Sequence, residues 1–276
     1  RNRVLTALQG MVTDHLPDSA RVMVVSHSDS VEIEQGFTGD PSALVAALQR
    51  LRMTGCGLEE REEEHRNLER EIRRAYSNRR RSQSARYQEI SELHSKIVAF
   101  AEGQGEALEK SLAALREVIT GLAGISGRKY LLHVSNGLPL ALGADLLHQF
   151  EGLGGMRSRG AGAFRFNRQR RYETLIATAN TQEVTIHAVD ATGTSRPQAE
   201  FGDSDSPRAS SAAVIARENH QTSLQLLADG TGGLAVTDDD DFDAALDRVM
   251  SSLLTFYSLG YEAGNGGGDT VHHVTV

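Results

Sequence analysis

The residues best placed to do chemistry in this 276-residue chain are Ser135, Asn136 and Gly137. They form a turn directly after Tyr130–Val134, an apolar run that reads as a buried strand. In an open α/β sheet, ligands collect outside the carboxyl ends of the strands, so the turn stands where a bound group would be expected. Other chemical groups are less well arranged. Residues 238–241 are four consecutive Asp, without the Asp-x-Asp-x-Asp-Gly spacing that wraps calcium. Acidic residues at that point suit the start of a helix, where the backbone dipole favours negative charge. His272 and His273 are adjacent in a strand-like segment and would face opposite ways. His133 and His187 fall inside strand-like runs and are expected to be satisfied core or rim histidines. The glycines and arginines of GLGGMRSRG (152–160) follow a helix-like run rather than a strand, which predicts a surface loop instead of a phosphate cradle. No Gly-x-Ser-x-Gly elbow, Walker lysine loop or His-Glu-x-x-His occurs. The reading is therefore of a protein that is not an enzyme.

Composition bounds the remaining choices. Hydrophobic residues make up 39% and charged residues 24%, as in a globular protein with a buried core. With 29 basic and 37 acidic residues the net charge is −8, which argues against bulk nucleic-acid binding. A single cysteine, Cys56, excludes an internal disulfide and a cysteine-only metal cage. No apolar run approaches the ~18 residues of a membrane span.

The elements that must hold the turn follow from periodicity. Val4, Leu5, Leu8, Met11 and Val12 mark an opening amphipathic helix. ARVMVVSHS (20–28) and VEIEQGF (31–37) read as a hairpin, the second strand half-solvated at an edge. Asp40 and Pro41 then cap and open a helix. The segment 57–105 is highly charged and carries only a sparse helical stripe (Leu68, Ile72, Ala75, Tyr76, then Tyr87, Ile90, Leu93, Ile97, Phe100). It reads as a helical hairpin turning near 77–84, or as a helix for a partner. Its block 66–86 holds eight Arg and two Glu, but 57–102 balances at ten basic and ten acidic residues, so a self-paired solvated arm is expected. After Gly103-Gln104-Gly105 a new helix should run from 106 into the strand at 130. Further on, a helix at 168–182, a strand at 184–190, a loop at 191–217, a helix at 218–231, a strand at 233–237 and a helix at 239–254 are predicted. Strands at 256–263 and 269–276 close the chain. Strands alternating with helices imply α/β architecture with a mostly parallel, doubly wound, Rossmann-like sheet.

The order of RNRVLTALQGMV, ARVMVVSHSDSVEIEQGF, GRKYLLHVSNGLPL, VTIHAVDATG and LQLLADGTGGLAVTDDDDFDAALDRVMSSLLTFYSLGYEA resembles bacterial von Willebrand factor A-related domain proteins. The resemblance covers about 1–54 and 108–276. It implies a von Willebrand A-type sheet at 1–56 and 106–263, a charged helical insertion at 57–105, and a C-terminal strand extension at 264–276. It also implies a metal-ion-dependent adhesion site, in which a partner's carboxylate completes an oxygen shell around Mg²⁺. The family's Asp-x-Ser-x-Ser loop matches no residue here. Thr54 stands near the place of the second-loop Thr, and Asn136 stands where the family more often has Asp. Asn keeps a carbonyl oxygen but lacks the carboxylate charge, so the implied metal site is degenerate and Mg²⁺ binding weak or absent. The strand that would carry the missing loop is central in that sheet and would lie before Arg1. Without it, the strands at 20–28 and 129–135 must pair directly, leave a gap, or accept a strand from elsewhere. The implied role is protein–protein interaction or adhesion, in an extracytoplasmic setting. The alternatives are a scaffold that oligomerises through the arm and, less consistent with the residues, an enzyme on a doubly wound fold.

Overall fold

The computed structural model describes residues 2–28, 30–53, 59–77, 82–151, 167–191, 207–237 and 242–254. Helix α1 (Asn2–Asp14) buries the predicted stripe of Val4, Leu5, Leu8 and Val12. Strands β1 (Val22–His27) and β2 (Val31–Thr38) form the expected antiparallel hairpin, with Val25 opposite Ile33 and His27 opposite Val31. β2 carries Ile33 and Phe37 in solvent, 65% and 49% exposed. Helix α2 (Pro41–Met53) opens as its sequence requires. The Asp40 carboxylate accepts the Ser42 N–H at 2.9 Å, satisfying one of the amides a helix start leaves free, while Pro41 has no N–H to satisfy.

The charged segment forms two helices, α3 (Glu59–Ser77) and α4 (Gln83–Gly121). Their stripes meet: Leu68, Ile72 and Ala75 of α3 pack with Leu93, Ile97 and Phe100 of α4. The expected break at Gly103–Gly105 is absent, and α4 continues for 39 residues from the arm into the body. The reason lies at Gly105. A Cβ there would meet Leu142 Cδ1 at 2.9 Å, so this glycine permits close packing and does not end the helix. Gly143 does the same from the opposite side, against Ala101 Cβ at 3.1 Å.

Strands β3 (Lys129–Ser135), β4 (Val184–Asp190) and β5 (Ala235–Val236) make a parallel sheet in the order β3-β4-β5. Helices α5 (Ala144–Glu151), α6 (Gln169–Thr181), α7 (Pro207–Thr231) and α8 (Phe242–Leu254) connect and flank it. Part of the loop expected at 191–217 is helical instead, because α7 begins at Pro207 and buries Ala212. Its Ser/Ala/Pro content reads as loop, yet proline at the first helical position and alanine against a core are both helix-compatible. At the other end of α7, Thr231 Oγ1 accepts the Ile186 N–H at 2.9 Å and donates to Leu227 O, tying the helix to β4. The strands expected at 256–263 and 269–276 lie outside the described residues.

The protein is thus α/β with a small parallel sheet, but its described strands form two sheets, β1-β2 and β3-β4-β5, rather than one. Both sheets nevertheless share the same two cores. Val22 and Val24 of β1, Leu132 and Val134 of β3, Val189 of β4 and Val236 of β5 pack with α1, α2 and α8. Met23 of β1, Leu131 of β3 and Val184 and Ile186 of β4 pack with α4, α6 and α7. Successive strand residues point to opposite faces, so β1 and β3 lie between the same two helical layers. Each has a hydrogen-bonded strand neighbour on one side alone among the described residues. Every residue of β3 is only half-buried, whereas β4, paired on both sides, is buried at all positions but Thr185.

Candidate functional site

The turn after β3 is where the sequence places it and is firmly built. Ser135 pairs with Asp190 at the end of the β3–β4 ladder, and its carbonyl accepts the Ala191 N–H at 2.8 Å. Ser135 Oγ accepts the Gly137 N–H at 3.2 Å. Gly137 adopts φ of 85°, a left-handed conformation that a side chain would strain. Its Cα also faces α7: a Cβ there would lie 2.6 Å from the Cβ of His220. The His220 imidazole donates from Nδ1 to the Asn136 carbonyl at 2.9 Å, and Asn219 exchanges two 2.7 Å bonds with the Ala141 backbone. Helix α7 therefore fixes the loop after β3 at Asn136 and Ala141, through its adjacent residues His220 and Asn219.

Of the residues read as a site, Ser135, Asn136 and Gly137 are brought together, and Thr54 lies outside the described residues. Asp190, 6% exposed at the carboxyl end of the neighbouring strand, stands beside them and was not singled out from the sequence. Its position at the end of VTIHAVD, one strand over from the turn, is the signal that could have identified it.

The two strand histidines depart from expectation. Nε2 of His133 and Nε2 of His187 are buried without a hydrogen-bond partner among the described residues, although His187 Nδ1 accepts the Leu234 N–H at 3.1 Å. Burial, helped by the nearby His27, pushes the His133 imidazole from 6.5 down to about 4, so it is neutral at physiological pH. Burial likewise lowers His187.

A second cluster joins the arm to the body. His65 and Glu69, four residues apart, share one face of α3, and Asp145 in the first turn of α5 meets them there. One ligand atom from each of the three lies within 4.8 Å of the others. His65 Nε2 and Asp145 Oδ2 are 2.5 Å apart, and Asp145 is 8% exposed. Gln149, one turn along α5, donates to Glu69 Oε1 at 3.2 Å, and Tyr76 donates to the Gln149 carbonyl at 2.8 Å. The His65 ring leans on Phe100 with centroids 5.7 Å apart. Burial alone would push this imidazole down, but the hydrogen bond and charge of Asp145, with the charge of Glu69, offset it and leave His65 above 6.5. The charge balance of the segment predicts a self-paired solvated arm and points to no metal-ligating cluster. The His-x-x-x-Glu spacing was visible, but Asp145 is 80 residues from His65 and only the packing of α5 on α3 brings it in.

Comparison with family models, with curated proteins and with solved structures returns no match.

Proposed function

We propose that this chain is a non-enzymatic protein-interaction module on a sheet of von Willebrand A type, and that it binds by accepting one strand between β1 and β3. The observation that carries this reading is the pair of half-covered strands held between common helical layers, each with a strand partner on one edge alone among the described residues. Unpaired strand edges are templates for another strand. Because helices cover both faces there, the accepted strand carries apolar side chains on both faces, as buried parallel strands do. The rigid Ser135–Gly137 turn, at the carboxyl end of β3, then contributes polar contacts at the rim. Asn136 offers a neutral amide, so Mg²⁺ contributes little there and the partner is held mainly by strand pairing.

Oligomerisation through the arm is the weaker reading, since most of the apolar stripes of α3 and α4 (Leu68, Ile72, Ala75, Leu93, Ile97 and Phe100, though not the exposed Tyr87) are already used internally and against Leu146. Hydrogen exchange tests the proposal. The probes are synthetic octapeptides of Val, Ile and Leu with terminal lysines for solubility. A peptide that binds should slow exchange in β1 and β3 together while leaving β4 unchanged. Protection of one strand without the other, or equal protection of β1, β3 and β4 before any peptide is added, would overturn it.

A further inference from the structure

We infer that His65, Glu69 and Asp145 form a binding site for a divalent transition-metal ion, best matched by Zn²⁺, that fastens the charged arm to the body. The donor set is one imidazole nitrogen and two carboxylate oxygens, a combination suited to zinc. Calcium would call for six to eight oxygens and magnesium for a near-octahedral oxygen shell, neither of which fits an imidazole-containing trio. Three protein ligands leave a fourth position for water or for a group from a partner.

The geometry is close to what an ion needs. In a tetrahedral site with bonds near 2.0–2.2 Å, ligand atoms stand roughly 3.3–3.5 Å apart. The present atoms lie within 4.8 Å of one another, so Glu69 needs to draw in while His65 and Asp145, now at 2.5 Å, part by about 1 Å. Both adjustments are within side-chain rotation. Charge favours an ion as well: the two carboxylates carry two negative charges, Arg73 stands 3.9 Å from Glu69, and a divalent ion beside a neutral imidazole balances the trio. The supporting shell is in place, since Gln149 already orients Glu69 and Phe100 backs the His65 ring.

The test is a zinc titration of the full chain in competition with a chromogenic zinc chelator, with circular dichroism to show that each variant is folded. One equivalent should bind, and Glu69→Gln, Asp145→Asn and His65→Ala should each weaken it by about tenfold or more. His148→Ala, on α5 but bonded to Ser211, should leave it unchanged. X-ray absorption of the zinc-loaded protein should show nitrogen and oxygen neighbours without sulfur. No competition for zinc, or full retention in the His65→Ala/Asp145→Asn double variant, overturns the assignment. So does a sulfur neighbour, or a loss in His148→Ala equal to that in His65→Ala.

Discussion

Gly137 carries two separate demands, a left-handed backbone and a 2.6 Å approach of His220 to where a Cβ would stand. Gly137→Ala is therefore expected to destabilise the protein by about 1–3 kcal/mol in urea denaturation. Gly10 in α1 has neither demand: its surroundings are open and its backbone is helical. Gly10→Ala should raise stability by roughly 0.5–1 kcal/mol, so the two alanines should move the urea midpoint in opposite directions. His133 supplies one part of the pH dependence. Its folded-state value of about 4 lies below the ordinary 6.5, so between those values the unfolded chain binds the extra proton. The His133 contribution to stability is thus fully present above about pH 6.5 and is lost as pH falls towards 4. Urea midpoints measured from pH 7 to pH 4.5 should drop for the wild type, and His133→Leu should flatten that part of the drop. A slope unchanged by the substitution would assign the acid sensitivity to other groups.

At the scale of elements, the arm depends on a compact apolar interface. Ile72 and Ile97 are fully buried, as is Leu146 of α5, which joins them to the body. Ile97→Ala should cost about 2–4 kcal/mol through lost burial and an unfilled cavity, and limited proteolysis should then cut the arm first. Glu62–Arg66, exposed at 3.7 Å, and Glu69–Arg73, at 3.9 Å with Glu69 half-buried, follow from i,i+4 spacing in the sequence, and substituting Glu62 should change stability by less than about 0.5 kcal/mol. Periodicity also identified α1, the β1–β2 hairpin, α2, β3, α6 and β4, because each is decided by local pattern and capping. It failed where tertiary packing decides. Gly105 reads as a helix breaker until Leu142 is seen against it, and the Ser/Ala-rich start of α7 reads as loop until Ala212 is seen in a core. The site divides in the same way. Ser135–Gly137 could be found from a strand and its turn, whereas the trio of His65, Glu69 and Asp145 needs two helices to meet.

For the molecule as a whole, the two sheets set both a capacity and a hazard. The edges of β1 and β3 that lack a strand neighbour among the described residues are templates for a compatible strand, including one from a second copy. Sedimentation velocity of the isolated chain should show association that grows with protein concentration. An octapeptide that protects β1 and β3 from exchange should suppress it. Association unaffected by such a peptide would assign it to another surface, of which exposed Ile33 and Phe37 on β2 are the first to examine.

The unbroken α4 has a mechanical consequence. At 39 residues it is a rod of about 58 Å, and its two ends serve different masters: Leu93, Ile97 and Phe100 hold the arm, while Leu108, Leu112 and Ile119 roof the sheet. A load applied at the tip of the arm is delivered to the layer that covers β1 and β3, through a lever with no hinge at its glycines. The same continuity joins the melting of arm and sheet, so calorimetry should record one transition for both.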